Sequence, residues 1–274
     1  MKKILSFVFV FAMVISIFTF SVSAKSGGVS VYINNEEYMG NMAVKDYTTF
    51  VGIRNFSTSM DKNASVNYDY STRTLTVKTA KLTLIAQDDS NYIIANGRYL
   101  YTETPIYMKN GVMYAPVMLM AKAFDAKISW SDATSSFYIT KGSGGITSGN
   151  IYYDSDCVYW LSKIITAEAA DEPMLGKIAV GNVILNRVRS KEFPNTIYGV
   201  IFDTNYGIQF TPVANGSIYR TPTEQSIIAA KICLEGYSIN TDILYFVNPT
   251  KSPNSWVSKN EVFFRQIGNH AFYY

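Results

Sequence analysis

Apolar residues recur along this 274-residue chain with three different spacings, and the spacings divide it. The first is continuous. After Met1-Lys2-Lys3 the chain runs apolar from Ile4 to Phe20 and closes on Ser21-Val-Ser-Ala24. A basic start, an apolar stretch and a small-x-small exit predict a secretory signal peptide over residues 1–24. The stretch lies at the lower edge of what spans a bilayer, and its exit favours cleavage over anchoring. The second spacing is two: Val29-Ser-Val-Tyr-Ile33, Thr74-Leu-Thr-Val-Lys78 and Leu82-Thr-Leu-Ile85 alternate as half-buried strands do. The third is helical and is confined to the C-terminal half, where Cys157, Trp160, Leu161, Ile164 and Ile165 fall on one stripe.

Between the last two regimes lies Lys141-Gly-Ser-Gly-Gly-Ile-Thr-Ser-Gly-Asn150. Its composition predicts a flexible linker over residues 142–150. The flanking pieces, 28–141 and 151–274, are each long enough to bury a core of their own.

The first piece repeats itself. Phe50-Val-Gly-Ile-Arg-Asn-Phe56 is echoed by Tyr114-Ala-Pro-Val-Met-Leu-Met120, and Asn67-Tyr-Asp69 by Ser129-Trp-Ser131. Each copy reads as strand, short helix, then a strand pair. Asn96-Gly97 and Asn110-Gly111 are hairpin turn signals. At Tyr107-Met-Lys-Asn-Gly-Val-Met-Tyr-Ala-Pro-Val117 and Ala123-Phe-Asp-Ala-Lys-Ile-Ser-Trp130 the piece resembles the copper amine oxidase N-terminal-like stalk domain of exported proteins. No copper follows from the family name, because residues 28–141 contain neither His nor Cys. The resemblance implies a wall-surface or substrate-positioning module, or a spacer.

In the second piece, Asp154, Ser155 or Asp156 is placed to cap the first helix. Glu168 lies four residues after Ile164, on the side of the buried stripe. A carboxyl there is costly unless paired or protonated, and desolvation raises its pKa toward the range a general acid needs. Spacing alone leaves a second position open, just past the helix end and solvated. A second helix is predicted through Gly176–Val188, with Asp171 as cap and Pro173 in its first turn. Asn182 and Asn186 share one of its faces and suit a structural pairing or the orienting of Glu168 or the substrate. A loop over Gly207–Gly216 follows, then a helix from Pro222 capped by Thr221. Strand-like runs cover Ile243–Val247 and Val262–Ile267.

Charge and rare residues narrow the chemistry. The chain carries 24 Lys and Arg against 21 Asp and Glu, and losing Lys2 and Lys3 with the leader leaves a net charge of +1. That balance gives no electrostatic footprint for nucleic acid. The single histidine, His270, rules out a zinc site built on several imidazoles. Cys157 and Cys233 could join in an exported protein or remain free small hydrophobes.

A more specific resemblance runs through Ala167-Glu-Ala-Ala-Asp-Glu-Pro173, Gly176–Val188, Phe193-Pro-Asn-Thr-Ile197, Gln209-Phe-Thr-Pro-Val213, Tyr245-Phe-Val-Asn-Pro249 and Ile267-Gly-Asn-His-Ala-Phe272. In that order these segments are similar to the cell wall hydrolase family of the spore cortex-lytic enzymes SleB and CwlJ, over residues 156–274. The resemblance implies an α+β lysozyme-like or lytic-transglycosylase-like fold after a β-rich α+β domain. It also implies a peptidoglycan glycan substrate, no cofactor and no metal, and Glu168 as acid and base. The family's usual Gly or Asn after Ala-Glu-Ala-x is Asp171 here. Gln209, Tyr245 and Asn248 are implied as substrate-positioning residues. Asp171 or Glu172 could instead hold a water for hydrolysis. The rivals are a cysteine peptidase using Cys157 and His270, and a wall-binding protein without catalysis. Spore cortex and vegetative wall both remain open as targets, as does the oligomeric state. The leader places the protein outside the cytoplasm, with no further spanning segment after its removal.

Overall fold

The computed structural model describes residues 28–205, 207 and 209–274, so the leader expected over 1–24 lies outside the described residues. Two hydrophobic cores divide the rest, one formed by residues between Val31 and Ile146 and one by residues between Leu161 and Phe272. The architecture is therefore two domains, a β-rich one followed by one dominated by helices.

The N-terminal domain begins with strands β1 (Ser30–Ile33), β2 (Glu36–Glu37), β3 (Met42–Lys45) and β4 (Thr48–Gly52), then helix α1 (Ile53–Met60). A five-strand run follows: β5 (Ser65–Asp69), β6 (Thr74–Lys78), β7 (Thr83–Gln87), β8 (Tyr92–Ala95) and β9 (Arg98–Tyr101). It closes with β10 (Tyr107–Lys109), β11 (Val112–Pro116), α2 (Val117–Ala123), β12 (Lys127–Ser131) and β13 (Ser136–Thr140). The order strand pair, short helix, strand pair thus occurs at β3–β6 and again at β10–β13. The strands form three sheets, ordered β12-β13-β1-β2, β10-β11-β4-β3 and β5-β6-β7-β8-β9. β1 runs parallel to β13, so the first and last strands of the domain close it on themselves. The two Asn-Gly pairs sit in the β8–β9 and β10–β11 hairpins, and all four residues have positive φ, between 49° and 79°. A tight hairpin turn requires that conformation, and asparagine and glycine adopt it at least cost.

The C-terminal domain contains α3 (Gly149–Tyr152), α4 (Ser155–Ala169), α5 (Met174–Arg189), α6 (Ile197–Ile201), α7 (Thr211–Ala214) and a 3₁₀ turn at Ser217–Tyr219. Then come α8 (Glu224–Leu234), β14 (Tyr245–Val247), α9 (Trp256–Asn260), β15 (Phe263–Ile267) and β16 (His270–Tyr273). Helices α4, α5 and α8 pack on one another, and the sheet β14-β16-β15 lies beside them. Leu161, Ile164 and Ile165 are fully buried, each worth roughly 1.5–3 kcal/mol of apolar transfer. Helix α5 carries Ile178, Ala179, Val180, Val183 and Ile184 into the core, so it is enclosed on most sides. Asn182 donates to Tyr237 O at 2.9 Å and Asn186 to Ile243 O at 2.9 Å. Both asparagines therefore pin the segment after α8, the structural alternative of the two.

Two expected caps move. Helix α5 has Pro173 at its N-cap without a side-chain bond, so Asp171 is not the cap. Helix α8 is capped by Thr223, which accepts from the Ser226 amide, rather than by Thr221. In each case the helix starts two residues later than expected.

The segment expected to be a flexible linker over 142–150 is instead laid down on the N-terminal domain. Ile146 is buried in that domain's core. Asn96 Nδ2 donates to Ile146 O at 2.8 Å, and the Gly149 amide donates to Asn96 O at 2.8 Å. A Cβ on Gly145 would come within 2.3 Å of Lys81 O, and one on Gly149 within 2.7 Å of Gly97 O. These glycines permit close approach of two backbones, a use of glycine that composition does not separate from flexibility.

Side chains complete the junction. Arg98 of β9 makes a two-pronged pair with Glu235 just after α8, at 2.7 Å from both Nε and Nη2. Lys122 Nζ lies 3.1 Å from the same carboxylate, and Tyr153 Oη donates to it at 2.8 Å. Tyr92, Tyr99 and Tyr101 pack against the C-terminal core.

Candidate active site

Helix α4 starts with the Asp154 carboxylate accepting from the Cys157 amide at 2.8 Å, which satisfies one free donor of the first turn. Its apolar stripe then fixes the rotation of the helix, and Glu168 emerges in the last turn above Ile164 and Ile165. The C-terminal end is closed from α5. Lys177, itself buried, donates to Ala170 O at 2.8 Å and to Glu172 O.

Glu168 lines a cavity of about 1360 Å³, open to solvent, between the α4–α5 corner, the loop carrying Gln209 and the sheet β14-β16-β15. The cavity is large enough for several sugar rings. The Glu168 side chain is half-buried, and no salt bridge among the described residues involves it. Burial pushes its pKa up to about 7, against a weaker opposite pull from the Lys251 ammonium. Between the two positions that spacing left open, the side chain thus takes the desolvated one. A carboxyl that is protonated near neutrality and ionises at little cost can both donate and take back a proton.

Gln209, Tyr245 and Asn248 line the same cavity. Gln209 Nε2 donates to Gly207 O at 3.2 Å, which folds its side chain back over its own loop. Asn248 Oδ1 accepts from the amides of Thr250 and Lys251 at 3.0 and 3.1 Å, so it also shapes the turn that carries Lys251. Tyr245 stands edge-on between Phe193 and Trp256, with ring centroids 6.4 and 6.2 Å away.

The two neighbouring acids differ. Asp171 is exposed. Glu172 is buried, and its carboxylate accepts from the Asn269 amide at 2.9 Å and from Asn269 Nδ2 at 3.0 Å. It clasps the turn between β15 and β16, where Gly268 has φ +58° and a Cβ would sit 1.9 Å from Glu172 Oε2. Glu172 is thus a clasp of that turn, each of its oxygens accepting one bond from Asn269, while it also lines the cavity.

His270 lines the cavity with its ring against Phe246, centroids 5.3 Å apart, and its Nδ1 is 3.7 Å from Glu172. Burial holds its pKa below the usual histidine value, with Glu172 pulling the other way. Cys157 is not among the cavity residues. It lies eleven residues before Glu168 on the same helix, about 16 Å along the axis, and burial raises its thiol pKa. The cysteine–histidine pairing of the peptidase reading is thus not assembled, and both cysteines are free. Among the described residues there is no group of three or more His, Cys, Asp or Glu that could hold a metal. No helix in them is long and apolar enough to cross a membrane.

Sequence reasoning missed Arg187, Phe193, Lys251 and Trp256 of this cavity, and assigned His270 elsewhere. Two of them carried a signal. Arg187 is a charge within an apolar helix, and Trp256 follows the polar run Lys251-Ser-Pro-Asn-Ser255 yet is 62 % exposed.

Comparisons with known proteins converge on this domain. Residues 171–273 match the family described as Cell Wall Hydrolase, a match that begins three residues after Glu168. Residues 32–139 match the family described as Copper amine oxidase N-terminal domain, although that stretch holds no His or Cys to bind copper. The chain is 37 % identical over 121 residues to a spore cortex-lytic enzyme of Bacillus cereus, covering 44 % of this chain and 45 % of that protein. It is 33 % identical over 121 residues to one of Bacillus subtilis, covering 44 % and 38 %. The chain thus spans less than half the length of these curated relatives. The solved catalytic domain of the germination-specific lytic transglycosylase SleB from Bacillus anthracis is 35 % identical, and 47 % of this chain covers 100 % of it with a TM-score of 0.41. The Bacillus cereus SleB catalytic domain is also 35 % identical, with 48 % and 100 % covered and a TM-score of 0.40.

Proposed function

We propose that this chain, which joins a copper amine oxidase N-terminal-like domain to a cell wall hydrolase domain, cleaves peptidoglycan glycan strands outside the cytoplasm. Glu168 serves as its acid and base. The observation that carries the reading is the desolvated carboxyl of Glu168, in no salt bridge among the described residues, at the edge of a sugar-sized cleft. Protonated Glu168 gives its proton to the oxygen bridging MurNAc and GlcNAc, and the C1–O bond breaks toward an oxocarbenium-like centre. The MurNAc C6 hydroxyl then attacks C1 and returns its proton to Glu168, leaving a 1,6-anhydro end. Hydrolysis would need a second carboxylate to hold water. Glu172 is occupied by Asn269 and Asp171 is exposed, which favours the internal attack.

Gln209, Tyr245 and Asn248 position the glycan, Tyr245 with the exposed ring of Trp256 beside it. The helical domain is read as lysozyme-like or lytic-transglycosylase-like, and β3–β6 with β10–β13 as two copies of one unit. The leader over residues 1–24 exports the chain. The relatives are named for the spore cortex, which makes cortex glycan the first substrate to try.

Digestion of purified sacculi and of spore cortex, followed by mass spectrometry of released muropeptides, tests this. Anhydro-muramyl ends support the transglycosylase, reducing ends would replace it with a hydrolase, and fragments released undiminished by Glu168→Gln would remove Glu168 from the reaction.

A further inference from the structure

The cleft contains a buried charge that the proposed reaction does not use. Arg187, in the last turn of α5, is only 6 % exposed and lines the cavity. Its Nε donates to Leu244 O at 2.8 Å, the carbonyl just before Tyr245. Among the described residues its buried Nη1 has no hydrogen-bond partner, and no salt bridge involves it. Asp203 acts on it without forming a salt bridge, and aromatic rings make its immediate surroundings. The guanidinium carbon lies 4.7 Å from the centroid of Phe193, 5.4 Å from that of Phe210 and 5.3 Å from that of Tyr245.

The rings come from three segments far apart in sequence, and the guanidinium is the group they share. A planar, weakly hydrated cation suits this place better than an ammonium, because it stacks on rings while still donating in its own plane. Aromatic side chains bind sugars well only when their faces are already fixed, since ordering them during binding consumes affinity. We propose that Arg187 is a positioning residue of the cleft, holding Phe193, Phe210 and Tyr245 as one wall on which the glycan is seated. The proposal rests on the glycan reading of this site and extends it to a residue outside the proton transfer at Glu168. Arg187 acts on Tyr245 twice, through the Leu244 carbonyl and through the ring, and Tyr245 in turn backs Trp256.

The test uses the full chain with Glu168→Gln as parent, so that glycan is bound but not cut, and a GlcNAc–MurNAc tetrasaccharide as probe. Binding is followed by tryptophan fluorescence at a temperature where circular dichroism shows each variant folded. Arg187→Met is expected to raise Kd at least tenfold, and Arg187→Lys to fall between it and the parent. With Glu168 intact, Arg187→Lys should raise KM more than it lowers kcat. A purely structural role predicts the reverse: a lower melting temperature with the parent's Kd in every folded variant, which would overturn the proposal. Should Arg187→Met not fold, Phe193→Leu removes one face and leaves the Leu244 bond. A parental Kd in both Phe193→Leu and Arg187→Lys would then be decisive against it. A parent that binds no tetrasaccharide would overturn the glycan reading itself, and this proposal with it.

Discussion

Glu168 and Glu235 are two carboxylates taken out of water by the same domain, and they end in opposite states. Burial acts upward on both. At Glu235 it is outweighed by hydrogen bonds from Arg98, Tyr153 and Lys122, which hold the carboxyl below its usual range. At Glu168 burial is opposed only by Lys251, and the pKa rises to about 7. Three donors from the N-terminal domain and the junction converge on Glu235, whose side chain is 3 % exposed. The sequence around each is similarly plain, Ala-Glu-Ala in one case and Leu-Glu-Gly in the other. The difference lies in what the fold brings to the carboxyl. A carboxylate given three donors welds two domains, and one that burial raises to about 7 can give and take a proton near neutrality.

Replacing each acid by its amide separates the two roles. Glu168→Gln is expected to cost about 100- to 10,000-fold in glycan cleavage, the usual range for a general acid. It should also stabilise the fold at alkaline pH. The folded pKa of Glu168 is raised, so its contribution is fully present below the unfolded value and is lost as pH rises through about 7. The loss is on the order of 3 kcal/mol. Chemical denaturation of parent and variant at pH 5 and pH 9 checks this, and curves that keep a constant separation would refute the raised pKa.

Glu235→Gln should behave in the opposite way. Arg98 would be left buried without a counter-charge, which costs about 3–5 kcal/mol. The loss should be largest near neutrality and shrink as pH falls, because the folded pKa is depressed and the parent loses its ionised carboxylate in acid. Cleavage per folded molecule should stay within about twofold of the parent, since nothing in the seam lines the cleft. A variant as stable as the parent would show the junction to be decorative.

Spacing carried the reading as far as one helix at a time. The stripe from Cys157 to Ile165 fixed the helix and the side on which Glu168 emerges, because burial of one face has a 3.6-residue signature. It did not decide whether the carboxyl is desolvated, since the lid over it comes from residues 192–270, far along the chain. Residue types alone offer Cys157 as the partner of His270, whereas pairing of β16 with β14 and β15 carries His270 to the Glu168 cleft. Glu172 was legible as an acid but not as a clasp, because Asn269 reaches it from 97 residues away. Composition does not separate flexible glycines from close-packed ones, and Gly142, Gly145 and Gly149 are of the second kind.

Glu172 gives the comparison its intermediate case, a structural carboxylate inside the cleft. Gly268→Ala should destabilise the domain by about 1–3 kcal/mol, since φ of +58° is strained for alanine and its Cβ would collide with Glu172 Oε2. Its effect on cleavage should exceed that of Glu235→Gln, because the displaced carboxylate and the His270 beside it face the reaction. Thermal melts together with kcat at a temperature where both variants are folded decide the order.

The smallest effect belongs to Lys251, the charge that tempers Glu168. It is exposed, so its pull is screened by salt and is a fraction of what burial imposes. Lys251→Met should move the alkaline limb of the kcat/KM profile to higher pH by less than about one unit, because the acid form of Glu168 then persists further. Raising ionic strength should move the parent's limb the same way and leave the variant's in place. If the variant's limb moves with salt as far as the parent's, another cation sets the upper limit, with Arg220, which also lines the cleft, the first to examine.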